Sequence, residues 1–470
     1  MLFGSPIASF YVQPAAGGDT ALLVGVLKAL IESQDIKQDF LSQHTTGSQK
    51  VLADAAAISW GDICQQSGVQ RKDIEEMSRL IAAAQSAVFA WAMGLTHHEH
   101  GVENVLALSN VALATGNVGR EGAGMMPIRG HSNVQGVSSV GFTPCLQKAV
   151  HATLEAKYGR AFPTASGYDT FSMMEAANRG KIDTLIALGG NLWGSSPDLD
   201  WTEGALNKIG TVVYLSTKLN PGHFHGCGKT TLILPVLARD EEPQATTQES
   251  LFNFVRLSDG GQPNVKGLMR SESEVICDLA ERVLTDKPVD WSALRSHKEV
   301  RKLIAEVIPG WTDIGDIDET RREFVIGGRI LHSPRFPTES GLAAMQPTPL
   351  PSLDDRSLRL ITLRSEGQFN TVVYEESDFY RGIPHRYCVL VSQFDAARLG
   401  IADGQKVTVR GEAGSLDNIE VVVGDIAPGT VAMFFPEANL LLKGRVDKRS
   451  RTPAFKSAPV SIEKQAGEID

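Results

Sequence analysis

Between Gly119 and Gly136 the chain packs five glycines, two arginines and the planar polar side chains of His131, Asn133 and Gln135 into one stretch. Glycine lets a backbone approach a ligand closely, and a guanidinium such as that of Arg129 can hold a carboxylate or phosphate through paired hydrogen bonds. A solvated loop between domains would keep the glycines, but it has no need of so many planar hydrogen-bonding groups. Three further segments place small or polar residues after apolar runs: Met93-Gly94-Leu95-Thr96-His97, Gly189-Gly190-Asn191 and Ser216-Thr217-Lys218. At the carboxyl ends of parallel strands such segments meet anions through backbone N–H groups. Each alone reads as a plain turn. Together they predict an extended, nucleotide-like ligand. Lys443 to Lys456 adds six basic residues against one acid, with Ala454 and Phe455 inside it, and is expected to dock against an anion.

Other local patterns carry less. Gly228-Lys229-Thr230 resembles the end of a phosphate-binding loop, but the required earlier glycine is His223 and the nearest strand follows rather than precedes it. His97, His98 and His100 stand beside Glu99 and Glu103, and His223 lies near His225, without the spacing of a zinc site. These histidines read as surface or ligand-lining groups, and no metal ligand is assigned. The five cysteines, Cys64, Cys145, Cys227, Cys277 and Cys388, form no CxxC clamp, so neither a disulfide scaffold nor an iron–sulfur ligand run is expected.

The elements that must position these residues alternate helix and strand. Leu22, Leu23, Val26, Leu27, Leu30 and Ile31 predict a helix that Asp19 can cap. A second helix is expected over 71–84 and a third over 102–113, stopping at Gly116-Asn117, with a short buried strand over 87–92. The runs 184–188, 211–215 and 231–235 predict continuous apolar strands, the last two buried, and helices follow near 273–284 and 297–308. After Pro347, Pro349 and Pro351 the period changes to short alternating strands, over 358–363, 406–410, 419–423 and 431–435, the texture of a barrel or sandwich. The reading is α/β with mostly parallel Rossmann-like sheets, then a carboxy-terminal β-barrel, divided as 1–128, 129–341 and 350–470. A chain of 470 residues with a net charge of −10 and 42% hydrophobic residues is neither disordered nor a general binder of nucleic acid. With no signal peptide and no membrane span in the sequence, the expected address is the cytoplasm.

Four of these segments resemble the molybdopterin oxidoreductases of the formate dehydrogenase and dimethyl sulfoxide reductase type, with the closest likeness to the formate-dehydrogenase-like alpha-subunit branch. They are 13–19, which ends in Gly17-Gly18-Asp19; 116–136; 184–198, from Thr184 to Asp198; and 436–439 with 451–456. The resemblance implies molybdenum held by two molybdopterin guanine dinucleotides and a two-electron redox step at the metal. It implies that Arg129 is the active-site arginine and that Asp19 and Asp198 accept from guanine N–H groups. By the same resemblance Gly94, Gly130 and Gly190 permit backbone contact, and Arg364, Gln368, Asn370 and Asn439 line the pterins. Gln13, Gly18, Met93, His97, His131, Asn133, Gln135, Asn191, Ser195 and Lys456 complete the cofactor-facing set. His97 and His131 stand where formate dehydrogenases usually carry amides, a departure that leaves the substrate unassigned.

The same resemblance makes 1–128 the end of the family's third domain, 129–341 the end of its second, and 350–470 the dinucleotide-binding barrel. On this reading the chain is the carboxy-terminal portion only. A 4Fe-4S cluster is expected in the family, and this chain carries no ligands for it. The expected partners are the missing amino-terminal half or a partner chain, and an electron-transfer subunit. Alone, the chain is expected to expose apolar surface and to lack formate oxidation. A non-catalytic α/β relic or split-gene partner that keeps the nucleotide cleft would show the same turns, acids and basic stretch.

Overall fold

The apolar run that opens the chain forms the helix Asp19–Glu32, and Thr20 to Leu30 are all buried within it. A helix apolar on every side needs neighbours on every side. The helices Ser48–Ala57, Trp60–Ser67, Arg71–Ala83 and Gly101–Ala114 supply them. Close approach depends on Gly25, where a Cβ would lie 2.8 Å from Ile63 Cγ2. Asp19 does not cap this helix as expected. Gly18 occupies the cap, and Asp19 is the first helical residue, where a carboxylate still meets the positive end of the helix dipole.

A computed structural model of the chain describes residues 8–465 apart from 264–266, 268, 287, 330 and 353–356. The span expected for the barrel domain, 350–470, therefore includes residues outside the described set. The chain divides into two compact units: one comprises 1–126, 194–202 and 331–470, and the other 127–193 and 203–330.

In the first unit the strand Val88–Trp91 pairs with Gly124–Pro127 as a two-stranded sheet. The strand was expected to be buried over 87–92. Val88 and Ala90 are exposed instead, because only the alternate residues Phe89 and Trp91 face the helical core, beside Leu23, Ala107 and Leu108. From Leu358 the same unit becomes a closed six-stranded barrel in the order Leu358–Leu363, Thr430–Phe434, Cys388–Ser392, Ser415–Gly424, Lys406–Arg410, Lys456–Lys464. Alternate residues fill it, with Leu358, Leu360, Val389, Val391, Val407, Val409, Val421 and Val431 in one core. The period-2 pattern dictates this, since successive strand side chains face opposite sides.

In the second unit three parallel strands, Thr184–Leu188, Thr211–Ser216 and Thr230–Pro235, lie in that order, with Val212 opposite both Leu185 and Thr231. Only the middle strand is well buried. Ile186, Leu188, Leu232, Ile233 and Leu234 are 40–55% exposed, which corrects the expectation of a buried strand over 231–235. A parallel sheet is covered only where helices pack on both faces. Here an open groove of about 650 Å³ runs over Ile186, Leu232 and Leu234 beside Leu279 of the helix Glu272–Val283. A second core forms around Trp311, Ile314 and Val307, packed with Val255 and Phe324 of an antiparallel three-stranded sheet.

Candidate functional site

In the first unit a cavity of about 320 Å³ is lined by Ala92, Met93, Gly94, His97, Ser195 and Asn370, with Thr362, Leu363, Arg364, Phe435, Phe455 and Lys456. Barrel geometry positions one wall. Thr362 and Leu363 end one strand, Phe435 follows the strand Thr430–Phe434, and Lys456 begins the last strand. The opposite wall is the short helical turn Met93–Thr96. The two walls are tied by the His97 carbonyl, which accepts from the N–H groups of Phe455 and Lys456, each at 3.0 Å. Phe455 packs edge-on against Phe435 with ring centroids 5.5 Å apart and lies 5.3 Å from the His97 ring. Seven of the residues expected from the sequence, Met93, Gly94, His97, Ser195, Arg364, Asn370 and Lys456, thus meet at one cavity.

The electrostatics of this lining are one-sided. It contains a guanidinium and an ammonium and no acidic side chain. Burial, then the nearby Arg364, pulls the Lys456 ammonium down to about 8. Burial also lowers Arg364, whose guanidinium lies 5.1 Å from the centre of the Phe435 ring. His97 is pushed down to about 4 by burial, with Lys456 and Arg364 adding to the shift, so its ring is neutral near pH 7. The Lys456 ammonium donates to the Thr362 carbonyl and, at 3.3 Å, to the Thr362 hydroxyl. Two cations held in a partly dry cavity favour an anionic ligand with many hydrogen-bonding groups.

Gln368 is not on the cavity wall. Its amide N–H groups donate to the carbonyls of Asn370 and Phe435 at 2.8 and 2.7 Å, and its oxygen accepts from Ser365 N–H and Arg386. It shapes the loop that presents Asn370, which adopts a left-handed φ of 53°. Behind it the fully buried Arg386 binds Glu437 at 2.7 Å, the Ser365 hydroxyl at 2.9 Å and the Phe435 carbonyl at 2.6 Å. Sequence reasoning missed Arg386, Thr362 and Phe435. The apolar Phe455 inside the basic stretch was the available signal for an inward turn.

Asp19 and Asp198 also lie in this unit. Burial pushes the Asp19 carboxyl up to about 6, offset by its own backbone N–H. Asp198 has φ 55°, its N–H donates to the Asn439 carbonyl at 3.1 Å, and its carboxylate accepts from Trp201 N–H at 3.2 Å. Burial, with Asp200 nearby, raises its pKa, and Lys443 lowers it. Asn439 is wholly buried. Its amide N–H donates to the Gly194 carbonyl at 2.9 Å, and its Oδ1 has no hydrogen-bond partner. Gln13 donates to the Tyr11 hydroxyl on the surface. Gly18, at the start of the first helix, leaves no room for a side chain, since a Cβ would lie 2.6 Å from the Gln66 carbonyl oxygen. The basic stretch is not a uniform anion-docking tail. Arg445 pairs with Glu99 at 2.9 Å and with Glu412, and the Asp447 carboxylate accepts from the N–H groups of Val102, Arg449 and Ser450.

The remaining expected residues belong to the second unit. Arg129 and Gly130 are exposed, and no atom lies within 4 Å of where a Gly130 Cβ would be. His131 is half-buried. Asn133 Oδ1 accepts from Glu249 N–H at 3.0 Å, and the Gln135 amide donates to the buried Glu249 carboxylate at 3.0 Å. Both amides are thereby partly committed to the protein itself. Gly190 has φ 72°, and its carbonyl accepts from Asn220. Asn191 is buried against Gly222, where a Cβ would come within 2.2 Å of its Oδ1. A cavity of about 680 Å³ touches Asn133, Leu188 and Thr217, so it lies at the carboxyl ends of two of the parallel strands. Among the described residues, no three His, Cys, Asp or Glu side chains could together hold a metal ion. No helix there is long and apolar enough to cross a membrane.

The family follows from sequence comparison. Residues 6–250 match the family model described as Molybdopterin oxidoreductase, and 358–459 match the Molydopterin dinucleotide binding domain. The chain belongs to the molybdopterin oxidoreductase family. An uncharacterized oxidoreductase of Mycobacterium bovis is 31% identical to this family member over 98% of the chain and 63% of its own length. Protein YdeP of Escherichia coli is 32% identical over 97% of the chain and 64% of its length. A formate dehydrogenase subunit alpha of Methanocaldococcus jannaschii is 24% identical over 97% of the chain and 70% of its length. This molybdopterin oxidoreductase chain thus spans 63–64% of the Mycobacterium and Escherichia relatives. The matches run through nearly all of it and do not establish a carboxy-terminal portion. Acetylene hydratase from Pelobacter acetylenicus shares the fold with a TM-score of 0.70 at 15% identity, over 98% of this chain and 72% of that one.

Proposed function

We propose that the chain binds molybdopterin guanine dinucleotide as part of a formate-dehydrogenase-like oxidoreductase, as the order of its motifs suggests for the carboxy-terminal portion of such an enzyme. The observation that carries this reading is the cavity whose lining holds Arg364 and Lys456 and no acid. The residues present fit the group. Two cations suit phosphate oxygens, the open space at Gly94 allows backbone approach, and the neutral His97 ring and Asn370 suit the mixed donors and acceptors of a pterin. The bound group supplies the two-electron redox chemistry at its metal, and the protein supplies orientation and electrostatics.

Each residue then has a distinct task. Arg364 and Lys456 neutralise phosphate or pterin oxygens. Asp19 and Asp198, once ionised, accept paired N–H groups from guanine. Arg129 holds the carboxylate of a small acid substrate and offsets negative charge that develops on it. Gln368 and Arg386 act indirectly by fixing the loop that carries Asn370. Two such cofactors on one metal, a 4Fe-4S cluster on another segment, an electron-transfer partner and a cytoplasmic address belong to the same proposal. The apolar face of the parallel sheet in the second unit is read as the docking area of the further polypeptide that the longer relatives carry.

The test produces the chain in a molybdenum-replete host together with that further segment, then measures acid-released GMP and metal per chain. The reading requires stoichiometric guanine nucleotide and molybdenum in the wild type. It also requires loss of both in an Arg364→Ala, Lys456→Ala double variant that remains folded. A folded wild type carrying neither would leave a non-catalytic relic as the better account.

A further inference from the structure

We propose that His98 and Asn104 are positioning residues that hold the helix start at Asp19 and Thr20 to the turn carrying Met93, Gly94 and His97. This rests on the functional reading above, in which both segments face the cofactor. His98 is only 2% exposed, and its Nε2 lies 2.9 Å from the Gly94 carbonyl oxygen and 3.6 Å from Asp19 Oδ2. Burial and the neighbouring His100 pull its pKa down to about 3, so the ring is neutral. A neutral imidazole facing a carbonyl at Nε2 carries its proton there. Its Nδ1 is buried without a partner.

His100 follows in the chain, its ring 5.2 Å from that of His98, immediately before the helix Gly101–Ala114. Asn104, fully buried in that helix, bridges the two segments: its Oδ1 accepts from the Thr20 hydroxyl and its Nδ2 donates to the Leu95 carbonyl at 2.9 Å. Two buried side chains, Asn104 in this helix and His98 just before it, thus stand between Asp19 and Thr20 on one side and Gly94 and Leu95 on the other. They act by fixing the separation of the two segments.

The bonded nitrogen of His98 gives the test. A glutamine amide N takes the place of imidazole Nε2, and an asparagine amide N takes the place of Nδ1. His98→Gln should therefore keep the cofactor as the wild type does. His98→Asn and Asn104→Leu should release GMP and molybdenum about tenfold faster, the scale of one ordinary hydrogen bond. In the cofactor-free chain His98→Asn and Asn104→Leu should also raise amide hydrogen exchange in both segments, 17–20 and 93–97, and His98→Gln should not. Thermal midpoints of the three variants serve as the control for general stability. If both substitutions of His98 behave alike, or if release follows the thermal midpoint regardless of which amide is present, the clamp is wrong. A wild type without GMP or metal would refute the functional reading, while the exchange pattern would still decide the clamp.

Discussion

Lys456 is fastened to His97 through the backbone: its N–H shares the His97 carbonyl with that of Phe455, at 3.0 Å each. This places the ammonium at the first residue of the last barrel strand against a turn more than three hundred residues earlier in the chain. The cation is therefore positioned by main-chain geometry and then held by Thr362.

Removing either cation should weaken cofactor retention by about 1.5–3 kcal/mol, tenfold or more, because each acts through hydrogen bonds to charged groups. Dissociation of GMP-bearing cofactor from Lys456→Ala and Arg364→Ala, measured at low and high salt, checks this. The difference from wild type should shrink as salt rises. Retention equal to wild type in both variants would contradict the assignment.

Cofactor affinity should be highest between pH about 6 and about 8. Asp19 must be ionised to accept guanine N–H groups, and its carboxyl is raised to about 6, so affinity rises with pH up to that value. Lys456 must be protonated to meet an anion, and its pKa is lowered to about 8, so affinity falls above that value. Replacing Asp19 with Asn should flatten the acid limb, and replacing Lys456 with Met should flatten the alkaline limb. Equilibrium binding across pH 5 to 10 measures both limbs.

Asp19 also links stability to pH. Its folded pKa lies above the ordinary 3.8, so between about pH 4 and 6 the folded chain keeps a proton that the unfolded chain has lost. Stability should fall as pH rises through this window, by about 3 kcal/mol for a shift of two units. Asp19→Asn should abolish the fall in urea unfolding midpoints.

Arg386→Met should destabilise the first unit by roughly 3–5 kcal/mol, because it leaves the Glu437 carboxylate without its buried partner. Restoring most of that loss with Glu437→Gln in the same chain would confirm that the pair, rather than packing volume, is responsible. Denaturant unfolding of the three variants decides it.

Gly94→Val should separate folding from binding. No atom lies within 4 Å of a Cβ at this position, so the change in stability should stay within about 0.5 kcal/mol. Cofactor retention should nevertheless drop, since the side chain would occupy cavity space. A variant that keeps full cofactor would remove Gly94 from the site.

Periodicity was enough to find the helices 19–32, 71–83 and 101–114, the parallel strands 184–188 and 211–216, and the change to barrel texture near 358. Those patterns are local: apolar spacing of 3.6 or 2 reports which face a segment must bury. Residue type marked Met93, Gly94, His97 and Lys456, and the resemblance added Arg364 and Asn370; all six line one cavity. Tertiary structure alone decided the rest. It put Ser195 beside Lys456, turned Gln368 and Arg386 inward as supports, and neutralised Arg445 with Glu99 and Glu412. It also left Leu232 and Leu234 exposed in a strand whose composition reads as buried. Composition specifies that a surface needs cover, whereas cover itself, like the pKa of Lys456 or the partner of a guanidinium, depends on which distant segments arrive beside it.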